Sequence, residues 1–345
     1  MISSRLFDLV RCPDCAGVLT PGGPAVRCDA CGRSFAASAG YLDLRPSAAF
    51  DERTRYVDEA LHVDARHETI APPLLGSKVR QDMLRRFLAL GPDDRAIDLG
   101  CGSGRTLAWN AGSGARLVGI DLAPYFAREA LAGHDLLLGD LRRLPIRDGA
   151  FTKAWTLDVV EHVSPEALAD VLAEAHRVLA PGGALFVYSH VRRNSWIAGG
   201  VRLANRLAAT LERAGLIDIR QERLRKSDHL NPLADHAELA AAAGRAGFRI
   251  ERITYYTPII GAFVENVLVR MGERLLARRA VRSGAAARPD DPAALKAARS
   301  AAKASVRARG ATYQALVALS AVMKLDIWLF GRVRSGPFFA LLRRR

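Results

Sequence analysis

The sequence predicts an α/β protein built on a doubly wound parallel sheet, from three observations. An apolar run at 96–99 leads straight into Gly100, Gly102 and Gly104, glycines at alternate positions with Asp98 just ahead of them. A second apolar run at 117–120 ends on Asp121, roughly 20 residues further on, where an acid can accept hydrogen bonds from ribose hydroxyls. Further apolar runs near 136–138, 154–157 and 184–188 follow at intervals that suit intervening helices, as a βαβ series requires.

Taken in order, the glycine loop comes first. Without a Cβ the chain can turn tightly, approach a ligand closely and present amides at the start of the next helix. A dinucleotide fingerprint would need Gly or Ala at 105 or 107, and the chain has Arg105 and Leu107 instead. Asp121 and Leu122 close the second strand. Asp140 and Leu141 end the third, before a loop at 144–151. The fourth strand runs through 154–157 to Asp158 and on to Glu161, His162 and Val163. A helix, the turn Pro181-Gly182-Gly183 and a fifth strand follow. Singly, these features are a tight turn, a helix cap and a helix start; in this order and spacing they point together to one nucleoside-binding sheet.

Over about 80–190 the chain resembles the class I S-adenosylmethionine-dependent methyltransferases, and is methyltransferase type 11-like. The resemblance implies a seven-stranded Rossmann-like methyltransferase sheet with S-adenosyl-L-methionine as cofactor. It places Asp98, Gly100, Gly102 and Gly104 at the methionine and ribose parts, and Asp121 with Leu122 at the ribose. Asp140 and Leu141 then flank the adenine, and Asp158 stands at the active-site end of the fourth strand. Thr152 departs from the pattern, where the family often has Asp.

At 345 residues, half of them apolar, the chain is long enough for one large domain and a small module. Its first residues lack the basic start and apolar stretch of a signal peptide, so a cytoplasmic protein with reduced cysteines is expected. Cys12, Cys15, Cys28 and Cys31 form two C-x-x-C knuckles 12 residues apart, a pattern for structural Zn²⁺ in a closed tetrahedral site. A redox pair or disulfides are the alternatives. Residues 32–45 extend a similarity to Trm112-like zinc-ribbon modules, which either brace a methyltransferase or help it recognise substrate. The expected organisation is a small N-terminal zinc ribbon at 1–45, a connecting helical segment at 46–79, and the methyltransferase domain at 80–345. Helical insertions are expected at about 191–234 and, near the C-terminus, 258–336.

The formal charge is +14, and residues 266–345 hold 17 Lys or Arg against 4 Asp or Glu. Lys296, Arg299, Lys303 and Arg307 recur at helical spacing. Such a face is a solvated surface, a contact with anionic membrane or lipid-linked substrate, or a site for RNA; the shortage of aromatics among the arginines weighs against RNA. The apolar run at 313–330 is interrupted by Lys324 and Asp326, costing about 2.5 to 3.5 kcal/mol each at a bilayer centre. A helix packed on the domain or lying at a membrane interface is expected instead of a span.

His162, Tyr188, His190 and His229 are the pocket candidates, with His162 or His190 as a general base. The expected activity is methyl transfer to a small-molecule, lipid-linked or glycan-linked acceptor. The alternatives are an rRNA or tRNA methyltransferase and a non-catalytic binding module that keeps the cofactor fold. The Asn-Pro-Pro-Tyr and Asp-Pro-Pro-Tyr tetrads of planar-amine methylation do not occur.

Overall fold

The computed structural model describes residues 2–23, 25–37, 40–47, 70–220, 229–230, 232–275 and 310–345. Lys296, Arg299, Lys303 and Arg307, and most of the 46–79 segment, lie outside the described residues.

Five strands form the parallel centre of one sheet: β5 (Arg95–Leu99), β6 (Arg116–Asp121), β7 (Asp135–Leu138), β8 (Phe151–Leu157) and β9 (Leu179–His190). Their residues are apolar in continuous runs because helices cover both faces; Ile97, Val118, Leu137, Ala154 and Phe186 are fully buried. From β5 the chain winds one way through β6 and β7, then returns to the other side of β5 for β8 and β9. The reversal opens a crevice at the carboxyl ends of β5 and β8, where doubly wound sheets bind ligands. Two antiparallel strands complete that side, β10 (Phe248–Tyr255) at the edge and β11 (Pro337–Arg344) between it and β9.

The seven expected strands are joined by an eighth. In the amino-terminal module, β1 (Leu19–Gly22), β2 (Ala25–Cys28) and β3 (Ser34–Ala36) make a small antiparallel sheet. The chain then adds β4 (Tyr41–Asp43) in parallel to β7 at the far edge of the large sheet. A bridge between Val10 and Ile146, with Arg11 N donating to Pro145 O at 3.0 Å and Arg147 N to Leu9 O at 2.8 Å, ties the module on a second side. Leu6, Val10, Phe35, Leu42 and Leu44 share one core with Val118, Leu137 and Ile146.

Helix α1 (Leu75–Leu88) buries Val79, Met83, Leu84, Phe87 and Leu88 on one face against the sheet and stops at Ala89, whose φ is +45°. α2 (Arg105–Asn110) follows the glycine loop, and α3 (Arg128–Gly133) and α4 (Pro165–Val178) cover later crossovers. After β9 comes α5 (Ala198–Arg213), and before β10 comes α6 (His236–Arg245), capped by Asp235, which accepts from the amides of Ala237 and Glu238. α7 (Ile259–Phe263) continues as a π-helical stretch, Val264–Val269.

The apolar run near the carboxyl terminus forms α8 (Ala311–Met323) and α9 (Leu325–Phe330). Among the described residues, 311–330 is the one helical stretch long and apolar enough to cross a membrane, and its polar groups show how it docks on the domain. Ser320 Oγ accepts from Leu75 N at 2.8 Å, and Lys324 Nζ pairs with Asp82. Asp326 is fully buried and accepts from Ile260 N at 3.1 Å and Gly261 N at 2.9 Å, satisfying amides at the start of α7. The two charges that interrupt the hydrophobic run are its docking contacts.

Candidate active site

A cavity of about 1070 Å³ opens over the carboxyl ends of β5, β6, β8 and β9. It is walled by α1, α5 and the π-helical stretch, through residues such as Arg80, Val201, Arg202, Asn266 and Val269. Every site residue expected from the sequence in the methyltransferase region, except Gly104, lines it.

At one end is the glycine loop. Gly100 has φ +81° and a Cβ there would lie 2.4 Å from Val159 Cγ2; at Gly104, φ +78°, a Cβ would lie 2.6 Å from Ala130 Cβ. Both glycines exist to let neighbouring elements close. Gly102, φ +54°, is different: a Cβ would meet nothing within 4 Å, so the backbone presents a bare surface to the cavity. Asp121 fixes this loop, Oδ2 accepting from Gly102 N at 2.7 Å and Oδ1 from Ala123 N at 3.0 Å.

Asp98 is 2% exposed, and its Oδ2 has no hydrogen-bond partner among the described residues. Burial, with the Asp121 charge nearby, pushes its carboxyl up to about 8. A buried carboxylate oxygen with no partner on a cavity wall is a place for a cation or donor from a ligand. The bare backbone at Gly102, the orphaned Asp98 oxygen and the acid at the end of β6 together fit the amino-acid and ribose parts of S-adenosylmethionine.

Asp140 is engaged more fully than the sequence indicated: Arg142 donates to it from its backbone N at 2.8 Å and from its guanidinium at 2.9 Å. Leu141 and Leu122 stand beside it, half-buried on the same wall. Asp158 occupies a left-handed position, φ +56°, and pairs with Arg80 Nε at 3.6 Å. Arg80 also lies over the Tyr188 ring, its guanidinium carbon 5.4 Å from the centroid. Burial works against the Arg80 charge, but Asp158 together with Tyr188, Glu265 and Tyr256 outweighs it and raises the Arg80 pKa.

The other end holds four groups. His229 packs against His162 with ring centroids 4.8 Å apart and against His190 at 5.1 Å. Leu230 N donates to Glu161 O at 2.8 Å and thereby brings His229 over β8 and β9. Glu161 is 1% exposed; Ser189 Oγ donates to its Oε2 at 2.7 Å, while Oε1 lies 3.8 Å from His190 Nδ1. Ligating atoms of Glu161, His162 and His229 lie within 4.8 Å of one another. The cavity end thus gathers a buried carboxyl, with Ser189 on one of its oxygens, and three imidazoles. Burial, followed by the charge of Asp158, pushes the Glu161 carboxyl up to about 8.

Glu161 and Arg80 are candidate site residues that the sequence did not single out. Glu161 looked like a helix start, and Arg80 precedes the first motif with no pattern around it.

A stability prediction follows from Glu161. Its folded pKa lies above the ordinary value of 4.5, so the folded state favours the protonated form and stability falls as pH rises from about 4.5 to about 8. The slope is at most roughly 1.4 kcal/mol per pH unit. Glu161→Gln removes the ionisation, so its unfolding free energy relative to wild type should climb across this window in denaturant titrations. A difference independent of pH would show that Glu161 ionises normally.

The amino-terminal cysteines form a second site. Cys12 and Cys31 sulfurs are 3.8 Å apart, and those of Cys15 and Cys28 are 3.4 Å apart. A tetrahedral Zn²⁺ with bonds of about 2.3 Å has sulfur–sulfur edges of roughly 3.8 Å, so the four thiols fit one ion. Gly17 completes the fit: a Cβ there would lie 2.9 Å from Cys28 Sγ and 3.2 Å from Cys15 Sγ. Amides of Cys31 and Ala30 pull the Cys28 thiol down to about 7, favouring the thiolate that a metal takes.

The fold is a Rossmann-like α/β one with a mostly parallel sheet. Residues 97–187 match the family model described as methyltransferase domain. An uncharacterized 37.1 kDa protein in a transposon of Streptomyces fradiae is 41% identical over 147 residues, 40% of this chain and 39% of that protein. Malonyl-[acyl-carrier protein] O-methyltransferase of Serratia marcescens is 34% identical over 113 residues, 31% of this chain and 44% of that protein. The chain thus spans less than half the length of these relatives. Phosphoethanolamine N-methyltransferase 2 of Haemonchus contortus, solved with S-adenosyl-L-methionine, aligns with a TM-score of 0.47 at 17% identity, covering 85% of this chain and 58% of that one.

Proposed function

We propose that the protein is an S-adenosylmethionine-dependent methyltransferase whose acceptor enters from the histidine end of the cavity. The carrying observation is that one continuous cavity joins the unpartnered Asp98 Oδ2 and bare Gly102 backbone to the cluster of Glu161, His162, His190 and His229. When bound, the cofactor supplies a methyl group on a positively charged sulfur. The residues of the chain do the rest. Asp98 takes up the ammonium, Asp121 accepts from ribose hydroxyls, and Asp140 and Leu141 bracket the adenine. The walls from α1, α5 and the π-helical stretch hold the acceptor in line and exclude water.

At the other end, His190 takes the proton from an acceptor O–H or N–H, and Glu161, its Oε1 3.8 Å from Nδ1, stabilises the imidazolium once the carboxyl is ionised. His229 and His162 shape the entry. A small-molecule or lipid-linked acceptor fits a cavity walled by helices better than a structured RNA, whose bases need stacking platforms. The cysteine site holds one structural Zn²⁺.

Calorimetric titration with S-adenosylmethionine tests this reading through its pH dependence. Asp98 binds the ammonium only when ionised, so affinity should rise by up to about tenfold per pH unit below pH 8. It should then fall as the ligand's amino group, with a pKa near 8, loses its proton. Asp98→Asn should flatten the rise and weaken binding. A flat wild-type profile would remove Asp98 from the site.

A further inference from the structure

Among the described residues, all but one of the large apolar side chains left exposed fall between residues 196 and 333, the exception being Val18. Trp196 is 84% exposed, Trp328 79% and Leu203 68%. The parallel sheet and its covering helices expose none, so this is a property of the elements inserted after β9 and after β10.

Those elements form one layer. Gly200 of α5 sits so close to Ile259 of α7 that a Cβ would lie 2.8 Å from Ile259 Cγ2, and Asn266 Nδ2 donates to Asn205 Oδ1 at 2.8 Å. α9 is held to α7 by Asp326. The layer's inner side walls the cavity through Ala198, Val201 and Val269. The exposed apolar residues lie on these same elements.

Charge is patterned on the same elements. On α5, Arg202, Arg206 and Arg213 are exposed at helical spacing that sets them on one stripe, beside the stripe holding exposed Leu203 and Leu207. Arg332 and Arg334 flank Val333, all exposed, just past the Val322, Leu325 and Trp328 row. The 20 residues Ala311–Phe330 are only 17% buried in their most apolar window, although polar contacts fix them lengthwise on α1 and α7. Exposed leucines beside arginines on α5, and exposed Trp328 and Leu329 followed by Arg332 and Arg334, suit a membrane interface, where apolar groups enter the acyl boundary while guanidinium groups stay at the phosphates. A second copy docking here would bring like charges together.

We propose that this face, formed by Trp196, Leu203, Leu207, Val322, Trp328 and Leu329, seats the protein on an anionic bilayer. The cavity behind it would then receive its acceptor from the leaflet. The acceptor part rests on the methyltransferase reading; the docking face stands without it.

The test is flotation of the full chain with vesicles of phosphatidylcholine and phosphatidylglycerol, compared with phosphatidylcholine alone. Each sample is also titrated with S-adenosylmethionine. Wild type should float with the anionic vesicles and much less with neutral ones. The triple variant Leu203→Ser, Leu207→Ser, Trp328→Ser should bind them at least about tenfold more weakly while keeping cofactor affinity. Trp196→Phe with Trp328→Phe should remove most of the quenching of protein fluorescence by brominated lipid. Wild type that fails to float, or a triple variant that floats equally well, overturns the docking face whatever the cofactor result. So does a concentration-dependent dimer, or RNA binding, that the triple variant abolishes without any vesicle binding by wild type. Loss of cofactor binding alone overturns the methyltransferase reading and leaves the face standing.

Discussion

Asp121→Ala is expected to weaken S-adenosylmethionine binding at least about 100-fold with zinc content unchanged. The carboxylate does two things at once. It accepts from the Gly102 and Ala123 amides at 2.7 and 3.0 Å, fixing the loop at the left-handed angle that bares its backbone to the cavity. It also ends β6, the position the proposed reading gives to the ribose hydroxyls of the cofactor. Charge-assisted hydrogen bonds contribute roughly 1.5 to 3 kcal/mol each, so losing two from the ribose hydroxyls exceeds the roughly 2.7 kcal/mol of a 100-fold change, and a loop freed from Asp121 must also be reordered on binding. Asp121→Asn keeps one acceptor oxygen and should fall between the two. Full titration heat with the Ala variant would mean that the glycine loop is a packing turn.

How far the sequence showed this site depends on how each part is made. The glycine loop, Asp98, Asp121 and Asp140 were legible because backbone geometry enforces their types and the βαβ series enforces their spacing. The four cysteines were legible for a similar reason: tetrahedral metal chemistry fixes both residue and interval. Glu161 and Arg80 were not, since their roles come from burial and from neighbours distant in the chain: Ser189 and Asp158 for Glu161, Asp158 and Tyr188 for Arg80. The strand Tyr41–Asp43 is three residues long with no motif, and only the open edge of β7 makes it a strand of the large sheet. Lys324 and Asp326 were legible as interruptions of the apolar run. Their partners, Asp82 and the amides of α7, had to be seen before they became docking contacts.

The eighth strand sets the second large effect. A ribbon on a flexible tether could lose its metal and unfold without consequence for the sheet, but this module is built into it. Leu42 and Leu44 are fully buried, β4 covers the edge of β7, and Leu6, Val10 and Phe35 fill the same core as Ile146. Metal binding supplies the folding energy that so short a segment cannot obtain from apolar burial alone. Cys12→Ser with Cys28→Ser should therefore reduce bound zinc from one equivalent to none and also destabilise the methyltransferase sheet. Uncovering several fully buried apolar side chains costs at least about 4 kcal/mol, enough to lower the melting temperature by roughly 8 °C. The exposed β7 edge should add a tendency to aggregate, visible in light scattering. Prolonged chelation of wild type should reproduce both effects. If the double variant loses its zinc while the sheet melts at the wild-type temperature, the module folds apart from the sheet, and the shared core at Leu42 and Ile146 contributes little to either.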